Sequence, residues 1–184
     1  MSSVRPRKGV YAGSFDPITE GHMYMVREGA RLFDDFVIAV GMNAYKKYTF
    51  TLEERRAFVE AAVEGIENVK VAHFANRFLM NYARELGANF ILRGIRNEHD
   101  YSFERQMRHV NADIAPEVTT VFLMPPREIS EVSSSFVKGL VGPEGWQELV
   151  RPYLPKPIYE SFCRHHEESL PDPKASDQSD PLAP

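Results

Sequence analysis

The stretch Val10-Tyr11-Ala12-Gly13-Ser14-Phe15-Asp16-Pro17-Ile18-Thr19-Glu20-Gly21-His22 decides how this chain folds. Val10-Tyr11-Ala12 is a short apolar run, read as part of a first strand over residues 8–13. Met23, Val26, Ala30 and Phe33 then recur at helical spacing, so residues 21–33 read as a first helix. His22 falls in its first turn, where unpaired N–H groups and the positive end of the helix dipole suit a phosphate. The imidazole is expected to add a donor whose charge changes near neutral pH. Gly13 and Gly21 are expected to let the backbone approach a ligand, with Pro17 stiffening the turn between them. A histidine at a helix start also serves purely structural ends, so the segments further along must decide between the readings.

Moving outward, Phe36-Val37-Ile38-Ala39-Val40 is apolar at every position, as suits a parallel strand buried on both faces. Thr51-Leu52-Glu53-Glu54 spells a capping box ahead of a helix running to about Val63. Residues 68–72 read as a third strand, Phe78 to Leu86 as a helix stopped by Gly87, and Phe90-Ile91-Leu92 as a fourth strand. A long helix is expected from His99 to Ile114 and a fifth strand from Val118 to Met124, broken by Pro125-Pro126. Helices follow from Ser133 to near Gly142, from Gly145 to Leu154 and from Ile158 to Arg164. This alternation predicts an α/β fold: a Rossmann-like, open, parallel five-stranded sheet with helices on both faces, in a single domain over residues 1–166. Ligands of such folds bind beyond the carboxyl ends of the strands.

Composition narrows the function. Of 184 residues, 43% are hydrophobic and 26% charged, and no apolar run approaches a membrane span. Arg5, Arg7 and Lys8 are not followed by an apolar signal-peptide core, and the lone Cys163 permits no internal disulfide. A cytoplasmic location is the expectation. The net charge of −4 is concentrated at the end: five acids and one base lie beyond residue 166, leaving 21 of each before it. The folded part is neutral, so neither nucleic acid nor membrane is an expected partner. Residues 167–184, acidic and rich in proline, are expected to form a disordered tail.

Three further segments carry chemistry, each just after an expected strand. Arg93-Gly94-Ile95-Arg96, with Asp100, Tyr101 and Glu104 beyond, offers two cations suited to phosphate; the competing reading pairs Arg96 with Asp100 or Glu104. Ser133-Ser134-Ser135 opens a helix and offers hydroxyls and free N–H groups, although one serine suffices as a cap. Lys46 and Lys47 follow the second strand. The remaining histidines, His73, His99, His109, His165 and His166, show no metal-ligand spacing, and His165 and His166 are expected to face solvent.

Thr19-Glu20-Gly21-His22 resembles the T/H-x-G-H signature of the nucleotidyltransferase superfamily. With Lys46-Lys47, residues 50–55, residues 93–96, Phe103 to Met107, Val121 to Pro125 and Val132 to Lys138, the chain from about Gly9 to Val141 resembles the bacterial phosphopantetheine adenylyltransferases. The resemblance implies transfer of AMP from ATP to 4′-phosphopantetheine, giving dephospho-coenzyme A and pyrophosphate, with Mg2+ accompanying ATP and a homohexameric assembly. It implies that Ser14, Lys46 and Arg93 hold the acceptor's phosphate and that Leu79 lines its pantetheine arm. It implies ATP contacts from Ser14, Phe15, His22, Gly94, Ile95, Arg96, Glu104, Ile129, Ser130, Glu131, Val132, Ser133, Ser134 and Ser135, with His22, Lys46 and Arg96 catalytic. The chain departs from the family's usual pattern at Ser14, Ile129, Glu131 and Gly139, and is one residue longer around Asn76 to Phe78. A related nucleotidyltransferase with another phosphorylated acceptor, or a catalytically silent nucleotide-binding protein, are the competing readings.

Overall fold

The computed structural model describes residues 5–169. The expected disordered tail therefore falls outside the described residues from 170 onward. Five strands, β1 (Lys8–Gly13), β2 (Asp35–Met42), β3 (Val69–Ala75), β4 (Phe90–Gly94) and β5 (Thr119–Leu123), form one sheet in the order β3-β2-β1-β4-β5. Every neighbouring pair is parallel. Between them run α1 (Glu20–Leu32), α2 (Leu52–Ala62), α3 (Leu79–Glu85) and α4 (Glu98–Ile114), followed by α5 (Ser134–Gly139), α6 (Trp146–Val150) and α7 (Lys156–Ser169).

The central strands are apolar at consecutive positions because both faces are covered. Tyr11, Phe36, Ile38, Val40 and Leu92 point into one core, shared with Val26 of α1, Val59 of α2, Val150 of α6 and Phe162 of α7. Their neighbours Val10, Val37, Ala39 and Ile91 point the other way, onto Met80 and Ala83 of α3 and Val118. β1 is flanked by β2 on one side and β4 on the other, so the chain's winding reverses there. This reversal opens a crevice at the carboxyl ends of β1 and β4.

Several boundaries differ from the sequence reading, for physical reasons. β3 continues to Ala75 because Phe74 stacks on Tyr82, with ring centroids 5.0 Å apart. α5 stops at Gly139, and a 3-10 turn over Arg127–Ile129 follows Pro125-Pro126. α7 runs from Lys156 through Ser169, so Glu167 and Glu168 belong to a helix. His165 and His166 do not simply face solvent: their rings lie 4.5 Å from those of Phe50 and Phe162 respectively. Ile158, Phe162 and His166 share one helical stripe at four-residue spacing, which turns His166 inward.

α1 crosses the sheet closely because Gly29 has no side chain; a methyl group there would stand 2.3 Å from the Phe36 ring. Gly139, at the end of α5, has open space around it and ordinary helical φ. Gly29→Ala is expected to lower stability by about 1–3 kcal/mol. Gly139→Ala is expected to raise it by up to about 1 kcal/mol through the unfolded chain's entropy. Chemical denaturation of the two variants checks both signs.

Candidate active site

The loop from Gly13 to Thr19 is held from several directions. Asp16 is buried, and its carboxylate accepts from the main-chain N–H groups of Thr49 (3.0 Å) and Phe50 (2.9 Å) and from Lys138 Nζ (2.6 Å). Burial alone would raise this carboxyl; the Lys138 ammonium and the two N–H donors outweigh it and hold it below the usual carboxylate range. Arg55, also buried, donates to the carbonyl oxygens of Ser14 (2.6 Å) and Gly41 (3.0 Å), with its guanidinium 4.0 Å from the Tyr48 ring. Both residues lie within segments quoted from the sequence, but nothing local there shows these partners.

Phe15 adopts φ +47°, rare for an aromatic residue and costing on the order of 1 kcal/mol. The turn drives its ring into the core, edge-on to Tyr11 and to His22 at 5.5 and 5.2 Å. Its side chain is therefore core, and any contact with a nucleotide runs through its main chain. That ring occupies the space left by Gly13, whose added Cβ would meet it at 3.0 Å. Gly21 likewise serves protein packing, since a Cβ there would lie 2.2 Å from the Val132 carbonyl oxygen. Both glycines therefore answer to packing inside the protein, and both also line the cavities described below.

His22 is the third residue of α1, with Thr19 as its N-cap. In the capping box of α2, Glu54 Oε2 accepts from the Thr51 N–H at 2.8 Å. In α1 the imidazole takes that part: His22 Nδ1 accepts from the Thr19 N–H at 3.1 Å and lies 2.8 Å from Thr19 Oγ1. Nδ1 is therefore occupied and the proton sits on Nε2. Burial, reinforced by the Arg96 charge, pushes the imidazole down from 6.5 to about 4. The ring is therefore neutral near neutral pH, where the sequence leads us to expect a change of charge, and its Nε2–H is the donor left free.

Two cavities meet at the carboxyl end of β1. The larger, about 760 Å³, is lined by Ser14, Met42, Asn43, Tyr45, Phe78, Leu79 and Arg93 among others. The smaller, about 340 Å³, is lined by His22, Arg93, Gly94, Arg96, Glu104, Ile129, Val132 and Ser133 among others. Ala12, Gly13 and Arg93 form their common wall. Arg93 is held by Glu104, its Nε donating at 2.7 Å, and by the Ala12 carbonyl oxygen at 3.3 Å, which leaves N–H groups on both terminal nitrogens. Arg96 is paired bidentately with Asp100, at 2.8 and 3.1 Å, as the competing sequence reading required. Lys46 Nζ donates to Ser14 Oγ at 3.2 Å.

The remaining candidates are placed less directly. The Ile95 N–H is used by the Leu123 carbonyl. Ser130 Oγ donates to Arg127, and Glu131 is exposed. Of the three serines, Ser133 caps α5 by accepting from the Phe136 N–H, Ser134 Oγ donates to the Pro17 carbonyl at 2.7 Å, and Ser135 is exposed. Asn76 adopts a left-handed conformation, φ +55°, ahead of α3, and Leu79 lies on the large cavity.

A depressed imidazole makes stability depend on pH with a definite sign. Between 6.5 and about 4 the unfolded chain binds a proton at His22 that the folded chain does not. The contribution is fully present above 6.5 and is lost as pH falls toward 4. Subtracting the unfolding free energies of His22→Asn from those of the parent chain is expected to give a flat difference above 6.5 and a decline below it. An NMR titration of the His22 ring checks the midpoint directly.

Comparison with known proteins agrees with this geometry. The cytidylyltransferase-like family profile matches residues 10–139. A phosphopantetheine adenylyltransferase of Neisseria meningitidis serogroup C is 52% identical over 162 residues, 88% of this chain and 95% of that one. The Chromobacterium violaceum protein of the same name is 49% identical over 88% of this chain and 99% of its own length. A solved structure of a putative nicotinate-nucleotide adenylyltransferase from Vibrio parahaemolyticus shares the fold, with TM-score 0.62 at 16% identity over 89% of this chain and 96% of that one. The fold also matches nicotinic acid mononucleotide adenylyltransferase of Plasmodium falciparum, with TM-score 0.61 at 14% identity over 89% and 98% of the two chains. With Thr19 and His22 joined in one cap beside two adjoining cavities, and with relatives about half identical along nearly their whole length, the chain belongs to the phosphopantetheine adenylyltransferase family of the cytidylyltransferase-like nucleotidyltransferases.

Proposed function

We propose that the protein transfers AMP from ATP to 4′-phosphopantetheine, releasing pyrophosphate and dephospho-coenzyme A. The observation that carries this reading is the common wall of the two cavities at Ala12, Gly13 and Arg93. ATP occupies the smaller cavity, its triphosphate toward His22 Nε2 and Arg96. The acceptor's phosphate sits by Ser14, Lys46 and Arg93, and its arm runs into the larger cavity past Leu79. An acceptor phosphate on one side of the wall then faces an α-phosphorus on the other, as in-line displacement requires.

The nucleophile is already an anion, so no strong general base is needed. The oxygen of the acceptor phosphate forms a bond to the α-phosphorus as the bond to pyrophosphate breaks, with no covalent enzyme intermediate. Lys46 and Arg93 offset the repulsion between the two phosphates, and neutral His22 donates from Nε2 to the charge that develops on the transferring group. Magnesium belongs with ATP as part of the substrate. The two carboxylates on the smaller cavity, Asp100 and Glu104, are engaged by Arg96 and Arg93, so the ion's ligands are chiefly phosphate oxygens.

A homohexamer is part of the proposal. Phe103 and Val110 on α4, Phe122 on the edge strand β5, and Met124 just beyond it stand 36–71% exposed, an apolar surface suited to burial against other copies. Cytoplasmic location is also proposed; no described helix is long and apolar enough to cross a membrane.

Pyrophosphate release is expected to require both ATP and 4′-phosphopantetheine and to yield dephospho-coenzyme A. A folded protein that releases none with any nucleotide rejects the proposal, and release only with another phosphorylated acceptor reassigns the substrate. His22→Ala is expected to lower turnover by about 10²-fold or more with the fold intact. In light scattering, Val110→Asp is expected to give species smaller than the parent assembly.

A further inference from the structure

We propose that Thr19 is a positioning residue for this reaction: its main-chain N–H and hydroxyl together hold His22 in the tautomer with its proton on Nε2. The inference rests on the role given to His22 above. Thr19 has no exposed surface. Its N–H reaches His22 Nδ1 at 3.1 Å, and its Oγ1 lies 2.8 Å from the same nitrogen and 3.3 Å from the Val132 carbonyl oxygen.

A main-chain N–H can only donate, so Nδ1 must present its lone pair. The neutral ring has one proton, which is left to Nε2. The other tautomer would set two N–H groups against each other across 3.1 Å. It would also turn the Nε2 lone pair toward the phosphate oxygens, lone pair against lone pair. The choice of tautomer is therefore the difference between attraction and repulsion at the transferring phosphate.

The hydroxyl adds two things. Its single proton has two acceptors within reach, of which Nδ1 is the nearer, so it reinforces the main-chain donor. The same oxygen sits 3.3 Å from the Val132 carbonyl oxygen, so it is packed between the imidazole and the segment that carries Ser133 on the smaller cavity, its one proton serving one acceptor at a time. The Val132 carbonyl oxygen is itself seated in the space that Gly21 leaves open. Threonine suits this place because branching at Cβ leaves few rotamers, so the hydroxyl stays aimed.

The test compares the parent protein with Thr19→Ser, which keeps the hydroxyl, and Thr19→Val, which keeps the shape. Long-range 1H–15N spectra of the His22 ring, recorded above neutral pH, report the tautomer without any need for turnover. The parent is expected to show Nε2–H. Thr19→Ser should keep that pattern with kcat within about twofold. Thr19→Val, which keeps the main-chain donor, should keep Nε2–H but show a shifted Nδ1 resonance from loss of the hydroxyl donor, with kcat lower by about tenfold, the kinetic equivalent of one neutral hydrogen bond, at unchanged KM for ATP and with its fold retained. An Nδ1–H signature in the parent would overturn the proposal, as would a Thr19→Val variant with parental spectrum and kcat. Equal loss of kcat in both variants with parental spectra would also overturn it, because packing alone would then explain Thr19. A parent protein that shows Nε2–H but no turnover rejects the adenylyl-transfer reading instead, so the two failures are distinguishable.

Discussion

A single buried carboxylate organises the working end of this molecule. Asp16 cannot be charged inside the protein without partners, and water does not supply them. The partners it has come from two places far apart in sequence: the Thr49 and Phe50 N–H groups ahead of α2, and the Lys138 ammonium on α5. Meeting that requirement draws three segments together around the end of β1. Arg55 answers from the same helix, α2, by taking the Ser14 and Gly41 carbonyl oxygens. The wall between the two cavities is thus held by hydrogen bonds within the protein itself.

The first turn of α1 carries two duties at once. A helix start needs a partner for the N-cap N–H, and in α2 a glutamate fills that place. In α1 an imidazole does so, which spends one ring nitrogen on structure and leaves the other for chemistry. The same burial that sharpens this division also keeps the ring neutral, as does Arg96 nearby. The site's permanent positive charge comes from arginine and lysine, and directional donation comes from histidine.

Much of this is legible in the sequence where the signal is local. Continuous apolar runs gave β2 and β4, the Thr51–Glu54 box gave α2, and the spacing of Met23, Val26 and Ala30 put His22 in a first helical turn. What escaped is long-range. Nothing near Asp16 announces Lys138, 122 residues away, as its partner. Nothing local shows that Gly21 also makes room for the Val132 carbonyl oxygen, or that a left-handed turn buries the Phe15 ring. The serine triplet does not say which residue is the cap; Ser133 caps α5, Ser134 holds the Pro17 carbonyl and Ser135 is exposed. His165 and His166 are expected to face solvent because the last helix is expected to end at Arg164, whereas α7 continues to Ser169 and carries their rings onto Phe50 and Phe162.

The cavities' common wall has a consequence for inhibitor chemistry. Two pockets that touch at Arg93 can be spanned by one molecule without a long tether. On the proposed placement of the two substrates, a compound carrying an adenosine-like head and a pantetheine-like arm, joined through an uncharged phosphate mimic, would lose its translational freedom once and gain contacts in both pockets. Its linker should be short and stiff, since effective concentration falls as slack is added. The guanidinium at the junction favours a hydrogen-bond acceptor in the middle of that linker, so the two halves would be recognised as a single ligand.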